Sequence, residues 1–120
     1  MTLLWHFTCA HAIVGIVTSG QLRPYPQMQL DGRALVWLTD LADATRQQLN
    51  LTSPLLRCDR TAYRVPVETD LAVPWTKYLL TLPRELREVA RHRLHLPGTL
   101  PAHWWVAETT LPIRLDGVPS

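Results

Sequence analysis

LLWHFTCAH, residues 3–11, sets a histidine inside an apolar run. Read as a strand, the run sends Trp5, Phe7 and Cys9 to one face and His6 and Thr8 to the other, because successive strand side chains alternate. A polar pair on one face of such a strand is either a rim position or half of a site. AHAIVGIVTSG (10–20) follows, with Ile13, Val14, Ile16 and Val17 spaced for a short buried helix. Gly20 is placed to end that helix in the left-handed conformation. Gly15 inside it costs about 1 kcal/mol against alanine, so packing must hold the helix.

Further along, RPYPQ (23–27) reads as an extended loop and LDG (30–32) as a turn. RALVWLTD (33–40) predicts a second strand, with Asp40 as the N-cap of a helix over LADATRQQLN (41–50). In LLRCDRTAYRVPVE (55–68), Tyr63, Val65 and Val67 line one face of a strand that Pro66 confines to a sheet edge. Pro74 and Pro83 open helices over WTKYLL (75–80) and RELREVARHRL (84–94), the second buried along Leu86, Val89, Ala90 and Leu94. HWWVAE (103–108) and LPIRL (111–115) are strand candidates, and the adjacent Trp104 and Trp105 must face opposite sides. This order predicts an α+β fold. We expect a small single domain over residues 1–120, with a mostly antiparallel split sheet and three or so short helices.

The composition bounds the function. The 120 residues suit one core, and 47% hydrophobic with 18% charged residues excludes a disordered chain. The formal charge is only +2, with Lys77 the sole lysine, so an anionic ligand is permitted but not demanded. Two cysteines, Cys9 and Cys58, make neither a disulfide framework nor a zinc motif and read as core. The N-terminus lacks a basic leader region, and no apolar run reaches the ~18–20 residues of a membrane span. The expectation is a soluble, reduced, cytoplasmic protein without a membrane partner.

Several chemistries find little support. His6, Cys9, His11, Cys58, Asp59, His92, His95 and His103 lack the short regular spacing of a metal site, so no metal is expected. Ser19, Ser53 and Ser120 lie outside any nucleophile elbow. Arg84, Arg87 and Arg91 form a helical row that could meet phosphates. Glu85 and Glu88 interrupt it, and no aromatic residues interleave with it, so a solvated face is the favoured reading.

LWHFT followed by a helix and SGQLRP resembles the opening of the ADP-ribosyltransferase fold, in which a strand with a His-x-Thr-like motif precedes a short helix. ALVWLTDLADA is similar to that fold's second strand–helix element, and WWVAETTLP supplies a late glutamate after an aromatic strand. The resemblance implies an enzyme that cleaves NAD and transfers ADP-ribose to a protein or nucleic-acid acceptor. His6 would bind a ribose hydroxyl and Thr8 would support that end of the cofactor. Trp37 or Thr39 would stand where many members carry a tyrosine or serine beside the nicotinamide. Glu108 would hold the nicotinamide ribose as the catalytic carboxylate, and Arg57 or Arg60 would pair with the pyrophosphate. A carboxylate there fits an oxocarbenium-like transition state.

Two readings from different classes follow. The transferase reading requires His6, Thr39 and Glu108 to converge on one cleft. The alternative is a non-catalytic binding protein that engages a protein partner or nucleotide through a tryptophan-rich surface around Trp37, Trp75 and Trp104 or Trp105.

Overall fold

The computed structural model describes residues 1–51 and 59–114. These form one α+β domain built on an antiparallel sheet of six strands, a second sheet of two strands, and three helices. The strands are β1 (Thr2–Thr8), β2 (Gln21–Leu22), β3 (Tyr25–Gln27), β4 (Arg33–Thr39), β5 (Tyr63–Thr69), β6 (Val73–Pro74), β7 (Trp104–Ala107) and β8 (Leu111–Pro112). The helices are α1 (Ala10–Ser19), α2 (Trp75–Leu80) and α3 (Arg84–Leu94). The main sheet runs β5-β1-β4-β7-β6, with β3 added against β4, while β2 and β8 form the small sheet.

The local signals explain most of these elements. Gly20 ends α1 at φ 70°, and its N–H donates to the Ile16 carbonyl at 2.8 Å. Asp31 and Gly32 turn the chain into β4 with positive φ, and Pro74 and Pro83 stand directly before α2 and α3. Pro66 is accommodated in β5 because its carbonyl accepts from Arg114 N at 3.1 Å, on the edge away from β1. The N–H that proline lacks would have pointed to that same outer edge.

Three expectations are corrected. RPYPQ is not all loop, since Tyr25–Gln27 is a strand whose Pro26 lies opposite Ala34. No helix forms over residues 41–50, because Asp40 is bonded across the sheet instead of capping them. Helix α1 buries only Ile13 fully, and Val14, at 67% exposure, faces solvent.

Both faces of the sheet are packed. Strand pairing places Trp5, Trp37, Thr39, Trp104 and Val106 on one face, since Trp5 opposes Thr39 and Thr39 opposes Trp104. Against that face, Leu35, Trp104 and Val106 pack with Trp75, Tyr78 and Leu79 of α2 and Ala90 of α3. Leu4, Val36, Leu38, Val67 and Ala107 look the other way, onto Leu22 of β2, Leu111 of β8 and the half-buried Ile16 of α1. Trp104 and Trp105 therefore serve opposite faces, as their adjacency requires.

The sheet is split at its centre. β1 pairs with β5 over its whole length, from Thr2 opposite Thr69 to Thr8 opposite Tyr63. With β4 it shares one registered pair, Trp5 and Thr39.

Candidate functional site

His6 stands where β1 parts from β4. Its Nδ1 lies 2.8 Å from the main-chain carbonyl oxygen of Trp37, so the ring bridges a gap that a strand ladder would otherwise close. A carbonyl only accepts, so Nδ1 carries the proton and Nε2 the lone pair. Burial pushes the His6 pKa below the ordinary imidazole value. The Trp37 carbonyl pulls it back up, and the nearby Arg60 charge adds to the lowering. His6 is thus a neutral, oriented imidazole with an acceptor nitrogen at neutral pH. Arg60 is half-buried, and its Nε has no hydrogen-bond partner among the described residues.

Beside the end of β1, a shallow groove of about 430 Å³ runs between the segment after β4 and the residues entering β5. It is lined by Phe7, Asp43, Thr45, Thr61, Tyr63 and Arg64. The Arg64 guanidinium sits 5.0 Å from the Trp5 ring centroid and is also bonded to Asp43 at 2.7 Å.

The other residues singled out by the sequence are dispersed. Thr8 is buried and shares the His6 face. Trp37 and Thr39 point to the opposite face, as neighbours of the Trp5–Thr39 pair. The Thr39 hydroxyl is a structural bridge, donating to the His103 carbonyl at 2.8 Å and accepting from Leu41 N at 3.2 Å. Glu108 follows β7 and is exposed, with its Oε2 3.5 Å from the hydroxyl of Tyr78, a member of the core on the Trp37 face. His6, Thr39 and Glu108 therefore do not converge, because strand alternation puts the first on one face and the other two on the opposite one. Arg57 and Cys58 lie outside the described residues.

Trp37, Trp75 and Trp104 form a core cluster, while Trp5 and Trp105 are half-buried. Trp75 and Trp104 are buried, and Trp37 contacts both, at centroid distances of 5.0 and 5.9 Å. On α3, Arg84 pairs with Glu88 at 3.5 Å, and Arg87 turns inward to the Leu82 carbonyl at 3.4 Å, which shortens the arginine row.

One cluster had no local signal in the sequence. Asp40, just past β4, accepts from His103 Nδ1 at 2.7 Å and from the Trp105 indole N–H at 3.2 Å. Asp40 N reaches the His103 carbonyl at 3.3 Å. Because Trp105 lies on the His6 face of the sheet, its bond draws the Asp40 carboxylate to that face too. The residues at the two strand ends meet only through the β4–β7 register, which no short motif encodes.

Among the described residues, no helix is long and apolar enough to cross a membrane, and no three metal-ligating side chains gather. Set against protein-family models, curated proteins and solved structures, the chain has no significant match.

Proposed function

We propose that the chain binds an NAD-type dinucleotide where β1 parts from β4, without the His6–Thr39–Glu108 cleft that the transferase reading requires. The observation that carries this reading is the fixed, neutral His6. With Nδ1 held by the Trp37 carbonyl, Nε2 is the acceptor that a ribose hydroxyl requires. The half-buried Arg60 lies close enough to His6 to lower its pKa, and it supplies positive charge for a pyrophosphate. The LWHFT resemblance points the same way, and the split antiparallel sheet agrees with it.

The reading gives Glu108 no step, since its side chain belongs to the other face. Nor does it use the tryptophan surface, because Trp75 and Trp104 are committed to the core. Calorimetric titration with NAD tests it, using wild type, His6→Ala and Glu108→Gln. Wild type and Glu108→Gln are expected to bind alike, and His6→Ala to lose at least about tenfold in affinity, as expected for one good hydrogen bond. Folded wild-type protein that takes up no NAD at millimolar concentration overturns the reading.

A further inference from the structure

We infer that α3 docks against α3 of a second copy of the chain, antiparallel about a two-fold axis at Val89, so that Glu85 of each copy meets Arg93 of the other. The inference is independent of the nucleotide reading, because α3 packs on the Trp37 face of the sheet and His6 lies on the opposite one.

Val89 is an apolar residue on the outer side of α3, 43% exposed. Glu85 lies one turn before it and Arg93 one turn after, on the same stripe, since helical residues four apart face the same way. These three residues and Leu86 line one groove of about 520 Å³. Across it stands Met28, 92% exposed, from the short turn that precedes β4. The helix dipole accounts for an acid in the first turn and a base in the last. It does not account for the exposed apolar residues between them.

Charge decides what fits the groove. Two acids, Asp31 and Glu85, and two bases, Arg33 and Arg93, line it. None of the four has an ion-pair partner among the described residues. Their charges cancel, so a partner of one strong sign, such as a nucleic acid, is not favoured there. A second copy fits by symmetry. In a two-fold contact the same patch meets itself. With the helices antiparallel and the axis at Val89, the position one turn before faces the position one turn after. Val89 then packs on Val89, and a Glu85–Arg93 pair forms on each side of it. The same operation brings the exposed Leu96 toward the Pro83 end of the other helix and sets the two dipoles in opposition. A parallel pairing would set like charge on like. The patch is small, because an α-helix of 11 residues is only about 16 Å long, and interfaces of that size are weak.

The test is sedimentation velocity at about 2 to 500 μM protein, a range that brackets weak self-association. It compares wild type, Glu85→Arg, Arg93→Glu and an equimolar mixture of the two variants, with circular dichroism as the check on folding. Wild type should dimerise with a Kd on the order of 10 to 100 μM, in keeping with a small interface. Each variant alone sets like charges across the axis and should weaken dimerisation at least about tenfold. The mixture should restore it, because one variant offers two bases and the other two acids, and every pair across the axis is then opposite in charge. Added salt should weaken the wild-type dimer. Wild type that stays monomeric throughout overturns the inference. So does a dimer that neither variant weakens, or one that the mixture fails to restore, since the copies would then meet through another face.

Discussion

His6 and Trp37 are 31 residues apart in the chain, and the imidazole Nδ1 of one lies 2.8 Å from the carbonyl oxygen of the other. This single bond spans the place where β1 and β4 stop pairing, so the histidine has a structural task as well as a proposed binding one. Replacing it by phenylalanine keeps the ring and leaves the Trp37 carbonyl without its donor, which costs about 1–3 kcal/mol. His6→Asn, with a side-chain amide to donate, should recover part of that loss. Urea denaturation of the two variants measures the difference. Equal stability of wild type and His6→Phe would mean the ring does not hold the split.

His95 gives the fold a dependence on pH. The buried Trp75 donates its indole N–H to His95 Nε2 at 2.8 Å, an arrangement open only to a neutral imidazole. Burial lowers the His95 pKa, and the Arg91 charge lowers it further. The unfolded chain therefore takes up the proton first as pH falls. This stability is present above the unfolded value of about 6.5 and is lost as pH falls through the folded one. The His6 pKa is lowered as well and adds a slope of the same sign. His95→Gln, which retains an acceptor for Trp75, should flatten the dependence between pH 7.5 and 5 without abolishing it. An unchanged slope in that variant would sink the assignment.

Thr39 links the stability of the sheet to the geometry of His103. Its buried hydroxyl donates to the His103 carbonyl and accepts from Leu41 N. Thr39→Val keeps the shape and removes both bonds, at a cost of about 1–3 kcal/mol. Because the Asp40–His103 contact is built on that main chain, the His103 ring resonances should shift in the NMR spectrum. Resonances that stay in place would show that the hydroxyl does not position the ring.

What could be read from the sequence was what local chemistry decides. Gly20 ends α1 because the left-handed conformation there suits a residue without Cβ, and Pro74 and Pro83 mark helix starts because their missing N–H is needed by nothing. Strand alternation also placed Trp104 and Trp105 on opposite faces. It failed for the site because it works within one strand. Only the Trp5–Thr39 and Thr39–Trp104 registers show that Thr39 and His6 diverge and that Asp40 meets His103. Asp40 has the residue type of a helix cap, and its bonds to His103 and Trp105, 63 and 65 residues away, override that preference. Pro24 and Pro26 concealed β3 in the same way, since a strand signal is weak where proline interrupts it.

Pro66 supplies a test of the sheet that is independent of any ligand. It sits in β5 opposite Trp5, yet its carbonyl accepts from Arg114 N on the outer edge, so its missing N–H takes nothing from the β1–β5 ladder. Pro66→Ala should therefore lose only the stiffening of the unfolded chain, about 0.4–1 kcal/mol. Moving the proline by one residue reverses the situation. Val67 lies opposite Leu4, is fully buried, and turns its main-chain groups inward to β1. Val67→Pro removes an N–H from that ladder and strands a buried partner, costing about 1–3 kcal/mol beyond the packing lost. Chemical denaturation of the two variants side by side measures the contrast. Equal losses would mean that β5 does not pair with β1 in this register, and the face on which His6 lies would have to be assigned again.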